Sequence, residues 1–127
     1  MALFKTDTLT FTNQAVSQSS AQAVTEDGGA GVAVGRVLGL RATITDNTGN
    51  TGDTVTVKIY KSSTLTVAGG GEELYSADFS FSSDEATLSD LLASPIPFFA
   101  QPHVTIEPMS QADTDMKVTL YLDDGRG

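Results

Sequence analysis

The glycine-rich stretch GGAGVAVG, residues 28–35, is the first place where this sequence could do chemistry, because closely spaced glycines let backbone N–H groups cradle a phosphate. Its spacing fits neither of the two common cradles. The dinucleotide fingerprint needs glycine where Val34 stands, and no Gly-Lys-Ser/Thr follows for a P-loop. The stretch reads instead as a flexible entry into a bent strand. DNTGNTGD, residues 46–53, resembles a calcium loop superficially, but an EF-hand would want glycine at Thr51 and a glutamate where Val57 stands. It reads as a turn-rich connection in which Asp46, Asn50 and Asp53 could collect a weak surface cation. The second acidic group, Asp113, Asp115, Asp123 and Asp124, reads as solvated strand ends.

His103 is the sole histidine, so a triad or a multi-histidine metal site would have to run through it. It alternates with Thr105 and Glu107, opposite Val104 and Ile106, which puts it on the polar face of a short strand. A pair of carboxylates could hydrolyse a glycoside, yet that chemistry normally needs a deep cleft with aromatic platforms. The chain has no tryptophan, three tyrosines and no cysteine, so thiolate catalysis and cysteine-ligated zinc are excluded and an enzyme is not expected. No cofactor is implied. Tyr60 and Tyr121 are expected to point outward from their strands, and they keep a carbohydrate-binding or adhesin-like module as the alternative function.

The net charge of −9, from 16 acidic and 7 basic residues, argues against nucleic acid as a partner, since the scattered Lys and Arg offer no stripe for phosphates. No apolar run approaches the roughly 20 residues that span a bilayer. Met1-Ala-Leu-Phe-Lys lacks the apolar core of a signal peptide, so synthesis and folding in a cytoplasm are expected. At 127 residues with 39% hydrophobic content the chain fits one domain, residues 1–127.

These residues need a scaffold, and the patterning predicts an all-β one. TVTVKIYKS (54–62) aligns Val55, Val57 and Ile59 on one face; DMKVTLYLD (115–123) aligns Met116, Val118, Leu120 and Leu122. ELYSADFSF (73–81) aligns Tyr75, Ala77, Phe79 and Phe81, and LFKTDTLTF (3–11) aligns Leu9 with Phe11. VAVGRVLGLRATIT (32–45) is predicted to bulge or bend near Gly35 or Gly39. HVTIE (103–107) adds a short strand. SSDEATLSDLL (82–92) is the one candidate helical turn, with Ser83 or Asp84 as cap and Leu88, Leu91 and Leu92 inward. Residues 14–31 read as an arm, a mobile loop or a weak edge strand. The sum is a two-sheet antiparallel β-sandwich, jelly-roll-like, of about seven or eight strands.

SPIPFFAQPHVTIEP, residues 94–108, holds all four prolines: Pro95, Pro97, Pro102 and Pro108. Each proline deletes a ladder donor, so the stretch is expected at a rim. Pro95 and Pro97 remove donors from the same edge, while Ile96 keeps its donor for pairing inward. Phe98 shares a face with Ile96 and Phe99 takes the opposite one, so one phenylalanine is expected to be exposed or covered by another chain.

With MALFKTDTLTF at the start, LSDLLASPIPFFAQPHVTIEP before the last strand and MKVTLYLDD near the end, the chain resembles the small β-sandwich or jelly-roll decoration (cement) proteins of tailed bacteriophage heads. The resemblance implies a virion protein that binds the outside of a capsid, with the major capsid protein and copies of itself as partners, often as trimers. It implies contacts through the N-terminal arm, with Leu3 and Phe4, and through Ile96, Phe98 and Phe99, and no role for nucleic acid or membrane.

Overall fold

The computed structural model describes residues 3–26, 31–46, 53–63, 72–82, 86–110 and 113–123. Its elements, all strands, are β1 (Leu3–Lys5), β2 (Leu9–Gln14), β3 (Gln22–Ala23), β4 (Gly35–Asp46), β5 (Asp53–Tyr60), β6 (Glu73–Phe81), β7 (Ala86–Phe98), β8 (His103–Pro108) and β9 (Thr114–Asp123). The two-residue period dictates them. Val55, Val57 and Ile59 of β5 and Met116, Val118, Leu120 and Leu122 of β9 are completely buried, while Thr56, Lys58, Lys117 and Tyr121 between them reach outward. Burying such a side chain is worth about 1.5–3 kcal/mol, so a one-residue slip in either central strand is prohibitive.

One sheet runs β1-β9-β4-β7, with β2 also on β9; the other runs β3-β8-β5-β6. Every pairing is antiparallel. β1 and β2 lie in line along the same edge of β9, so they act as one interrupted strand and four strands stand abreast in each sheet. The chain crosses between the sheets after β2, β3, β4, β6, β7 and β8, which is the order of a jelly roll. Among the alternatives for residues 14–31, the weak edge strand is what forms. Ser19 donates its N–H to the Ile106 carbonyl at 2.8 Å, β3 pairs with His103 and Val104, and Glu26 returns to bridge Thr6. Residues 27–30 lie outside the described residues.

The bend foreseen near Gly39 is present. Register shifts between Val37 and Gly39 on both sides of β4, so Val37 and Leu40, three apart, both reach the core. A Cβ on Gly39 would lie 2.7 Å from the Asp90 carbonyl, a spacing no other residue tolerates without displacing β7.

The predicted helical turn does not form. Residues 86–98 are edge strand β7, in which Ala86, Leu88, Asp90 and Leu92 turn inward and Thr87, Ser89 and Leu91 turn out. The leucine spacing imitates a helix because Asp90 takes an inward position. Its carboxylate accepts a 2.6 Å hydrogen bond from the Tyr75 hydroxyl of β6, clasping the two sheets along one side. Ser83 and Asp84 lie outside the described residues.

Pro97 and Pro108 occupy positions where no ladder donor is needed, and the four prolines do not share one rim. Thr6 exchanges bonds with Leu120 on the far side of β9, so by antiparallel alternation Leu40 and Val37 turn their backbone groups toward β7. Ile96, opposite Val37, therefore bonds inward, and Pro97, opposite Arg36, has its missing N–H on the outer edge. Leu92 to Pro95 bulge out between the pairs Gly39–Leu91 and Val37–Ile96. Pro102 lies in the connection before β8. Pro108 ends β8, an interior strand, and is directed past the end of β3.

Candidate interaction surface

The residues expected at a contact separate. Phe98 is 2% exposed and belongs to the core, so it is withdrawn from the contact set; Ile96 packs, half-buried, against the same cluster. Phe99, one residue on, is 81% exposed. The side chains of Leu3 and Phe4 lie outside the described residues, and their backbone pairs with Asp123 and Leu122.

Two apolar features missed by the sequence reading join Phe99. Leu91 is 86% exposed on the outer face of β7. It heads a row that runs through Gly39 of β4 to Tyr121 of β9 and Lys5 of β1. With no side chain on Gly39, the row forms a depression of about 400 Å³, lined by Leu38, Gly39, Arg41, Leu91 and Tyr121. The second feature lies at the end of the same strand pair. Continuing the register beyond Gly35–Phe98 sets Val34, 57% exposed, opposite Phe99. Beside them a cavity of about 420 Å³ is lined by Lys61, Leu74, Pro97, Phe98 and Phe99. The only signal for Leu91 was period-two alternation through 86–92, which the leucine spacing obscured.

The electrostatics of this face differ from those of the chain. Lys5, Arg36, Arg41 and Lys117, out of seven basic residues, point outward from the β1-β9-β4-β7 sheet. Among the described outward residues of those strands the acids are Asp115 and Asp123. Asp123 is not a solvated strand end. It is 1% exposed and accepts two bonds from the Arg36 guanidinium, 3.0 Å from Nε and 2.7 Å from Nη2. Asp115 accepts the Asn13 N–H at 2.8 Å, where Asn13 adopts φ 52° at the irregular end of β2. The rows Thr43–Thr87 and Thr8–Thr119 add hydroxyl bonds of 2.9 and 3.2 Å. Among the described residues, this face is therefore lightly basic and threonine-rich, with an apolar trough, in a chain of net charge −9.

The remaining candidates have structural employment. Asp53 caps the turn after β8, accepting from the Ser110 N–H and, at 2.7 Å, the Ser110 hydroxyl. Asn50 lies outside the described residues, among which no group of three or more His, Cys, Asp or Glu could hold a metal ion. His103 sits half-buried with Nδ1 3.1 Å from the Gln101 carbonyl oxygen. Thr105 is buried beneath Gln18, which also donates to the Tyr60 hydroxyl at 2.8 Å. Tyr121 faces outward as expected, but Tyr60, on the opposite sheet, is only 6% exposed beneath Gln18, so the two cannot form one stacking platform. Tyr75 has its pKa pushed up, first by burial and then by the Asp90 carboxylate it bonds. No protein-family model matches the chain, and neither a curated protein nor a solved structure is significantly similar to it.

Proposed function

We propose that this protein is a structural component of a virus particle, a decoration or cement protein that binds the outside of a phage head and reinforces it. The observation that carries the reading is the placement of Leu91, Phe99 and Val34, large and exposed, along the β4-β7 side of one sheet. Single exposed apolar residues are ordinary on a soluble protein; a trough flanked by Leu91 and Tyr121 with a second apolar corner at Val34 and Phe99 is a surface suited to burial by a partner. The prolines beside it support the same reading, because they let an apolar edge approach another subunit without uncontrolled strand addition. The basic surplus of the face suits a coat surface rich in carboxylates. Individually small contacts of this kind gain strength when several are made at once across neighbouring coat subunits.

Co-sedimentation of the purified protein with capsids of the virus that encodes it tests the reading. Saturable binding that is lost in the double variant Leu91→Lys, Phe99→Ser is the expected result. Protein that stays in the supernatant at every concentration contradicts it.

A further inference from the structure

Strand β6 ends the β3-β8-β5-β6 sheet, and the backbone alternation shows which of its groups face outward. Ile106 donates its N–H to Ser19 Oγ at 2.9 Å and accepts the Ser19 N–H, both on the side away from β5. Val57, opposite Ile106, therefore turns its N–H and C=O toward Ala77 of β6. The Thr54 carbonyl, which accepts the Met109 N–H on the β8 side, obeys the same alternation. Tyr75, Ala77 and Phe79 thus bond to β5, and Ser76, Asp78 and Ser80 present their N–H and C=O groups to the free edge. Among the described residues no strand or bridge pairs with that edge.

The other edges are managed. β7 is broken by the Leu92–Pro95 bulge and closed by Pro97 beyond it. β3 is two residues long. The β1-β2 edge is crossed by residues 22–26, through the Thr6–Glu26 bridge and a bond from Gln22 to the Thr10 carbonyl. β6 has its own irregularity at Leu74, which is skipped between the pairs Ile59–Tyr75 and Tyr60–Glu73, but from Tyr75 to Phe81 it offers seven regular residues without a proline.

We propose that β6 pairs antiparallel with β6 of a second copy, about a two-fold axis at Ala77, so that the two sheets become one. This register sets Ser76 against Asp78 on either side of the axis, and it uses the outward-pointing backbone groups of both residues on both strands. It also keeps carboxylates apart, since Asp78 meets a serine; moving the axis from Ala77 to Asp78 would oppose Asp78 to itself. On the core side it places Tyr75 beside the partner's Phe79, a favourable cross-strand aromatic pair. An isologous contact of this kind closes at two copies. It goes beyond the particle-binding reading, whose resemblance implies trimers.

Light scattering coupled to size exclusion, on the full chain at about 0.3 M salt to screen its acidic repulsion, measures the association. Wild type is expected to dimerise within the range up to about 1 mM, and Ser76→Pro, which removes a donor from the free edge and none from the β5 ladder, is expected to be monomeric. Ser76→Asp opposes Asp78 across the axis twice and should weaken the dimer about 2- to 30-fold, while Ser76→Lys should tighten it by a similar factor. The charge pair decides the matter if the proline variant fails to fold. A wild type that is monomeric to about 1 mM, or an oligomer indifferent to the charge at position 76, overturns the proposal. Capsid binding, scored separately, distinguishes the two readings: a monomer that decorates particles refutes the dimer alone, and a dimer that ignores them refutes decoration alone.

Discussion

At the residue scale, two polar pairs, one of them on a buried carboxylate, add directed ties to strands whose register hydrophobic burial already sets. Asp123 is enclosed, so truncating its partner strands a carboxylate with fewer donors: Arg36→Ala is expected to lower the unfolding free energy by about 1–3 kcal/mol, read from the urea midpoint. Tyr75 and Asp90 tie β6 to β7. Because folding raises the Tyr75 pKa, the folded state holds its proton more tightly than the unfolded chain, in which tyrosine titrates near about 10. That contribution is complete below pH about 10 and diminishes as pH rises beyond it, so stability should fall on the alkaline side. Tyr75→Phe should remove this part of the alkaline slope and cost about 1–2 kcal/mol at neutral pH, both measurable by chemical denaturation at a series of pH values.

At the element scale, close strand approach at β4 and donor deletion at β7 shape one edge of the molecule. Gly39→Val should force β7 away from β4 and destabilise the fold by about 2 kcal/mol or more, with the loss visible as a lower Tm. Replacing Pro97 with threonine restores an outward N–H on a proline-guarded strand, and a rise in concentration-dependent light scattering is the expected consequence. The same physics explains what could be read in advance. β6 emerged residue for residue and β5 and β9 nearly so, because aromatic and β-branched residues alternate there with polar ones over a full strand. β7 was hidden because an edge strand is half-exposed on both faces, which weakens alternation, and because Asp90 replaces an apolar residue at an inward position. Alternation also separated Phe98 from Phe99 without saying which one faced the core; that phase depends on the β4 register and the Leu92–Pro95 bulge, neither of which leaves a local mark. Leu91, the most exposed large hydrophobic residue of the candidate surface, was lost with the strand that holds it.

At the scale of the whole molecule, a jelly roll with a polarised surface is a rigid body suited to presenting one face. Leu91→Lys touches no core contact and should change stability by no more than about 0.5 kcal/mol, yet abolish partner binding if the trough is the docking surface. The claim on which the account rests is that the protein's place is on an assembled particle. Quantitative mass spectrometry of gradient-purified particles, from cells whose genome encodes the chain, tests it most directly. Recovery of the protein in fixed proportion to the major shell subunit, surviving a salt wash, is the result the account predicts. Particles that lack it, with the protein left in the unsedimented fraction, would contradict the account.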